Sequence, residues 1–268
     1  MDTPRISASS YSNTAPLIWS FLYGANHGKV EIILDNAPAR SAELLAQDRV
    51  DAALVPVIAS QFIDDVKLIP NVCVGARKRV RSVCLVTRGA DLADVRSVSL
   101  DTSSRTSVVL TKIIFREFLG FEPAWRDAAP NIETMLAESD AALLIGDPAL
   151  ILSKSNAATG LRTFDLAEVW HQHTDLGFVF AMWMTRKEKS LIDFAAVRDE
   201  GLGHLDEIVS NYQSEINLER SEMFAYLSEN ISYSPDESMR LGLELYLDLA
   251  FKNHLTGKPP QLRYLEQE

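Results

Sequence analysis

Hydrophobic positions along this chain fall into two kinds of block, and the two kinds alternate. Arg5 to Ser9, Val30 to Leu34, Ala52 to Val57, Val95 to Leu100, Ala141 to Ile145 and Phe178 to Met184 are short runs rich in Ala, Val, Ile and Leu. Their lengths are those of strands. The runs at 52–57 and 141–145 are apolar without alternation, which predicts strands covered on both faces, as in a parallel sheet. Between the runs, apolar residues recur at helical spacing. Helices are predicted over Ala15 to Tyr23, with Pro16 tolerated in the first turn, and over Ser41 to Gln47 and Ile132 to Glu138. Another is predicted over Val108 to Leu119, closed by Gly120. Ile192 to Tyr212 is helical again, with Gly201 and Gly203 set against one unbroken helix. Ser234-Pro235-Asp236-Glu237 has Ser at N-cap, Pro at N1 and Glu at N3 of a final helix reaching about Leu255. Alternating strands and helices define an α/β protein.

Two stretches carry the same plan. Val30 to Val57 and Phe121 to Asp147 each contain an extended segment, a Pro-containing loop, an amphipathic helix, an acidic turn and an Asp-Ala-Ala strand. The two copies, at Asp51 and Asp140, are too far apart for a solenoid and well spaced for two small lobes of one fold. A discontinuous arrangement is expected, with residues 1–86 plus 185–268 in lobe one and 87–184 in lobe two. Phe178 to Met184 is the strand suited to crossing back. Two facing lobes make a cleft, and a cleft is where a small ligand binds.

Composition narrows the partners. The 268 residues are 47% apolar and 24% charged, with a net charge of −11. Such an acidic chain is a poor binder of nucleic acid or anionic membrane, and an anionic substrate would need a local positive site. No apolar run approaches the ~18 residues of a membrane span. No signal-peptide pattern is visible at the N-terminus, so a cytoplasmic protein is expected. Cys73 and Cys84 sit in apolar runs and read as buried hydrophobes.

Candidate chemistry lies where strands give way to helices. Ser12, Asn13 and Thr14 follow the first strand, a place where open α/β folds bind ligands; the same residue types also cap helices. Asp101-Thr102-Ser103-Ser104-Arg105-Thr106-Ser107 precedes a helix and offers amides, hydroxyls and one Arg to an anion. One cap needs only one such side chain, which tips this stretch toward a ligand site. The Arg77 to Arg81 cluster is the densest positive charge, and equally a charged sheet edge. If the strand through Ser82 runs straight from Val80, Arg79 and Arg81 point away from the face of Ser82. The carboxylate in Gly146-Asp147-Pro148 reads as a general base, an orienter or a helix cap. His171 and His173 lack a metal-ligand pattern, and no nucleophile elbow or Ser-His-Asp arrangement stands out.

In order, Ser10 to Leu17, Val50 to Val57, Val80 to Val83, Asp101 to Ser107, Ala141 to Leu150, Asp165 to Trp170, Phe178 to Trp183 and Tyr226 to Ile231 resemble the chorismate dehydratases of the futalosine route to menaquinone. The resemblance implies a two-lobed periplasmic-binding-protein-like (type II) fold used as a cytoplasmic hydro-lyase. It implies loss of water from chorismate, a small anionic substrate, to give 3-[(1-carboxyvinyl)oxy]benzoate, with no cofactor and no metal. It places Asn13 and Ser82 at the pocket, with Arg105, Thr106 and Ser107 on carboxylates. The full expected set of contacts is Ser12, Asn13, Ser82, Ser104, Arg105, Thr106, Ser107 and Gly146. Asn13 and Asp147 are the candidate catalytic residues. Many relatives have Gly-Pro at Lys78-Arg79 and Thr-Gly-Leu-Pro at Thr174 to Gly177, so pocket shape is expected to differ there. Two rivals stand beside this reading: a non-catalytic solute-binding or sensor protein for a dicarboxylate, and the related 1,4-dihydroxy-6-naphthoate synthase.

Overall fold

The computed structural model describes residues 3–153 and 160–266, and its strands form two five-stranded sheets of matching design. In the first, β1 (Arg5–Ser9) lies between β2 (Glu31–Asp35) and β3 (Ala52–Pro56), parallel to both. β10 (Phe178–Thr185) follows, antiparallel to β3 and to the edge strand β4 (Lys67–Ala76). In the second, β6 (Ser97–Asp101) lies parallel to β7 (Ala124–Ala128) and β8 (Ala141–Ile145). There β5 (Val83–Thr87) is antiparallel to β8 and to the edge strand β9 (Arg162–Asp165). The orders are β2-β1-β3-β10-β4 and β7-β6-β8-β5-β9.

The duplicated Asp-Ala-Ala segments explain the match. Asp51 accepts the Arg5 amide at 2.8 Å, and Asp140 accepts those of Arg96 and Ser97 at 2.9 Å. Each carboxylate thus fixes the start of the neighbouring parallel strand. A buried hydroxyl pair repeats as well: Ser7 with Ser41 at 2.8 Å, and Ser99 with Ser139 at 2.9 Å. Each pair ties a covering helix to its sheet while satisfying polar atoms that would otherwise be buried at a cost.

The apolar runs form the central strands, and β3, β5 and β8 are buried along their whole lengths. The sheets are mixed rather than purely parallel, because the fourth strand of each runs antiparallel to its neighbours. Lobe boundaries also differ from the expectation. β5 belongs to the second sheet and β10 to the first, so neither cut, after 86 or after 184, follows the sheets. The chain changes lobe in the loop 77–82 and again just before Phe178. An apolar strand carries no mark of which sheet it joins, so the cuts cannot be read from the pattern.

Helices cover both lobes. α1 (Ala15–Leu22) and α2 (Pro38–Ala46) pack on the first sheet. α3 (Thr106–Ile113), α4 (Ile132–Glu138), α5 (Asp147–Leu152) and α6 (Leu166–Thr174) belong to the second. α3 continues as a π-helical segment over Ile114–Leu119, which Gly120 ends with φ 77°. The C-terminal part returns to lobe one as α7 (Phe194–Gly203), α8 (Leu205–Ile216), α9 (Arg220–Ala225) and α10 (Glu237–Lys252). The pattern from 192 to 212 splits at His204. The cap of α10 is Asp236, not Ser234: its carboxylate accepts the Met239 amide at 2.9 Å and also holds Arg77. The second partner favours the later start.

One large core passes through both lobes. At their junction Trp170 of α6 meets Phe178 edge-on at 5.4 Å, and Phe178 meets Tyr246 of α10 at 5.0 Å. All three rings are fully or almost fully buried, so the lobes share apolar surface there.

Candidate active site

Between the lobes lies a cavity of about 590 Å³, counted out to its mouth. Lobe one supplies the end of β1 and the turn Ser12–Thr14, a single 3-10 turn that leads into α1. Thr14 Oγ1 donates to the Ser9 carbonyl at 2.7 Å, which locks that turn to the strand. Asn13 is nearly buried and lines the cavity beside Ser9, Tyr11 and Thr14. Leu54, Pro56, Val74 and Phe180 form an apolar floor.

Lobe two supplies the turn from β6 into α3. Ser103 donates its amide and hydroxyl to Asp101 Oδ1 at 2.9 and 2.6 Å. The Ser107 amide reaches Ser104 Oγ at 3.3 Å. Ser104 therefore acts as a helix cap, while it, Thr106 and Ser107 all border the cavity. The first amides of α3 have no partners within the helix, and the helix dipole adds partial positive charge there. Such an end favours a carboxylate by about 0.3–1 kcal/mol when exposed and up to ~2 kcal/mol when partly buried. Thr106 also spans the lobes: Oγ1 accepts the Ile58 amide at 3.4 Å and its carbonyl accepts the Tyr246 hydroxyl at 3.0 Å.

Gly146 completes the wall. Its φ of 63° with ψ of −146° is a conformation that essentially only glycine adopts. A Cβ there would lie 2.6 Å from the Tyr11 ring. The missing side chain is what lets Tyr11 of lobe one dock on lobe two.

The expected site residues divide in two. Asn13, Ser104, Thr106, Ser107 and Gly146 line the cavity. Ser12, Ser82, Arg105 and Asp147 stand behind or outside it. Ser12 donates to Asp147 through its amide, at 3.2 and 3.1 Å to the two oxygens, and through its hydroxyl at 2.5 Å. That pair bridges the lobes. Burial pushes the Asp147 carboxyl up, and the Ser12 hydrogen bonds pull it back down. Arg105 pairs with Glu43 of α2 at 3.3 Å, across the lobes and about half exposed. Ser82 is fully buried and takes a 2.8 Å hydrogen bond from the Tyr226 hydroxyl.

Arg79, Arg81 and Ser82 do not lie on a strand. Residues 77–82 are loop, and Arg81 has φ 65°. Arg79 lies 3.8 Å from Asp165 and 3.9 Å from Glu168, away from the cavity. Two further residues bear on the site without being expected there: Tyr11, which lines the cavity, and Tyr226, which holds Ser82. A Tyr beside Ser12-Asn13, and a Tyr rather than Phe in a buried helical stretch, were the available signals. Among the described residues no cluster of three His, Cys, Asp or Glu has metal-binding geometry, and no helix is long and apolar enough to cross a membrane.

Two sheets of this order facing each other across a cavity define a periplasmic-binding-protein-like fold, and solved structures agree. A protein from Archaeoglobus fulgidus, AF1704, superposes with a TM-score of 0.69 at 16% identity, covering 94% of this chain and 98% of its own. The periplasmic aliphatic sulphonate binding protein of Escherichia coli does so with 0.63 at 16% identity, covering 99% and 94%. Sequence takes the assignment further. Residues 4–252 match the family model described as menaquinone biosynthesis. A chorismate dehydratase of Thermus thermophilus is 32% identical over 241 residues, covering 81% of this chain and 85% of that protein. The chain belongs to this menaquinone-biosynthesis family.

Proposed function

We propose that this protein is a chorismate dehydratase, a hydro-lyase that removes water from chorismate to give 3-[(1-carboxyvinyl)oxy]benzoate. One observation carries the mechanism: among the described residues lining the cavity there is no Asp, Glu, His, Lys, Arg or Cys. A site without an ionised acid or base suits a reaction whose driving force is internal to the substrate. Loss of the ring C3 proton and C4 hydroxyl makes the ring aromatic. Developing charge spreads through the diene into the ring carboxylate, and in this reading a substrate carboxylate takes the proton. The protein then contributes orientation and neutral hydrogen bonds.

In this reading Asn13 holds the reacting edge of the ring and hydrogen-bonds the departing oxygen. Thr106, Ser107 and the amides of α3 bind a carboxylate. The apolar floor at Leu54, Pro56 and Phe180 receives the flat ring. Arg105 guides the anion at the mouth, where the acidic chain otherwise repels it. Asp147 acts as a tie to Ser12, not as the base.

The test is to mix the purified protein with chorismate and separate the products by liquid chromatography and mass spectrometry. A product lighter by one water with the spectrum of a meta-substituted benzoate supports the proposal. Chorismate that is bound yet unchanged would make this a binding protein instead. Asn13→Ala is expected to lower kcat by about 10²-fold or more; full turnover at saturating substrate would remove the role of Asn13.

A further inference from the structure

The cations of the Arg77–Arg81 cluster take no part in the cavity between the lobes. Arg77 is held by Asp236 at 2.9 Å. Arg79 and Arg81 instead border a second pocket, on the other face of β5, of about 800 Å³ counted out to its mouth. Side chains alternate across a strand, and β5 divides accordingly. Val83 lines the cavity between the lobes, whereas Cys84 and Val86 line the second pocket. β9 adds Thr163 and Asp165, which pair in register with Val86 and Cys84. Leu152 and Ser153 at the end of α5, with Leu161, close the other side.

The pocket thus has an apolar floor and a cationic rim. Its described lining carries two arginines against one carboxylate, and that carboxylate is already committed. Asp165 Oδ2 accepts the amides of Val80 and Arg81 at 3.0 and 2.6 Å, and Oδ1 those of Ala167 and Glu168 at 3.0 and 3.1 Å. Arg79 stays 3.8 Å from Asp165 and 3.9 Å from Glu168, too far for hydrogen bonds. The Arg81 guanidinium has no hydrogen-bond or ion-pair partner among the described residues. Its backbone is nonetheless fixed by the Asp165 bond, in the left-handed region at φ 65°. A residue other than glycine is uncommon there, and such conformations cluster at sites that hold ligands. Guanidinium groups with unused N–H donors, set beside apolar surface, match a carboxylate that carries an apolar body.

We infer that this pocket is a second ligand site, for a small monocarboxylate with an apolar body. Arg81, with Arg79, takes the carboxylate, and the floor at Val86, Leu152 and Leu161 takes the body. The site is separate from the cavity, yet it shares β5 and the loop 77–82 with it, since Val80 and Val83 line the one and Arg81 and Cys84 the other. It does not depend on the dehydratase reading.

The test is benzoate titrated into the ¹⁵N-labelled full chain and followed by NMR. The amides of Val86, Leu161 and Thr163 should shift and saturate with a Kd on the order of 1 mM, the strength of a small fragment. Shifts confined to Asn13, Thr106 and Ser107 would mean that benzoate finds only the cavity between the lobes, which overturns the inference, as would no shift at all. Arg81→Gln should raise the Kd read at Val86, Leu161 and Thr163 at least about tenfold; an unchanged Kd refutes the site. Acetate has the carboxylate without the ring and should bind at least about tenfold more weakly than benzoate. Equal binding would show that the floor is not used and refute the ligand class. If Arg81→Gln does not fold, Thr163→Glu is read instead, at an exposed position of the edge strand. Its carboxylate should claim Arg81 and abolish the benzoate shifts at Val86 and Leu161; their persistence counts against the site.

Discussion

The two copies of the βαβ segment, one in each lobe, are alike at their beginnings and different at their ends. Asp51 and Asp140 do the same work at the start of β3 and β8, each holding the amide that opens the neighbouring strand. At the far ends the resemblance stops. β3 finishes in Pro56, which with Leu54 gives the cavity an apolar floor. β8 leads into Gly146 and Asp147, which give lobe two a seat for Tyr11 and a carboxylate for Ser12. The same scaffold thus occurs twice, and the site lies where the two copies differ. Strand starts are set by local backbone needs that each lobe shares. Strand ends face the other lobe, and what they need depends on what stands opposite.

The largest test of this contrast is Gly146→Ala. It combines a glycine-only backbone conformation with a Cβ 2.6 Å from the Tyr11 ring. A loss of about 3 kcal/mol is expected, seen as a Tm lowered by roughly 6–12 °C. Substrate affinity should fall with it, since Tyr11 must leave its seat. An unchanged Tm would mean that the lobes do not dock through this residue.

Asp147 comes next. Asp147→Ala leaves the Ser12 amide without its acceptor and should cost about 1–3 kcal/mol. Asp147→Asn keeps an oxygen toward Ser12. As a tie, it should retain kcat within about fivefold, whereas loss of a general base would cost about 10²–10⁴. Steady-state rates on chorismate distinguish the two roles.

The shared end of the comparison is probed by Asp51→Ala and Asp140→Ala. Asp140 accepts two amides and the Ser97 hydroxyl, Asp51 one amide. Each loss should be about 1 kcal/mol, with Asp140→Ala the greater. Denaturant unfolding of the two variants reads the order. A larger effect at Asp51 would show that the two lobes do not use these carboxylates alike.

The smallest expected effect concerns pH. Burial raises the carboxyl of Asp101 above its ordinary 3.8, against the pull of the Ser103 hydrogen bonds. The native state therefore keeps that proton over a window beginning near 3.8 and extending upward, where the unfolded chain has released it. Native stability from this group falls as pH rises through the window. Asn at this position does not titrate. The Tm of Asp101→Asn relative to wild type should accordingly rise between about pH 4 and pH 7. A difference independent of pH would place the raised carboxyl elsewhere.

Much of this protein was legible along the chain, because local chemistry sets it. Apolar runs marked the strands, Gly120 ended its helix, and the Asp-Ala-Ala copies announced two lobes. The turns at 10–16 and 101–107 were recognisable as strand-to-helix corners rich in donors, and Asn13, Thr106 and Ser107 do face the cavity. The shift of the α10 cap from Ser234 to Asp236 shows the limit even of local signals. Both residues suit a cap, and a distant Arg77 selects between them.

What the tertiary structure alone decided is partnership across distance. Ser12 lies 135 residues from Asp147, and Tyr226 lies 144 from Ser82. A carboxylate reads alike in sequence whether it will meet a substrate or a serine. Nothing near Asp147 says that Ser12 will claim both its oxygens, or that Arg105 will be held by Glu43. β5 and β10 exchange sheets for the same reason: a buried apolar strand fits either sheet until packing assigns its neighbours. Local preference determines which elements form. The closing of one lobe on the other determines which side chains are left facing the cavity.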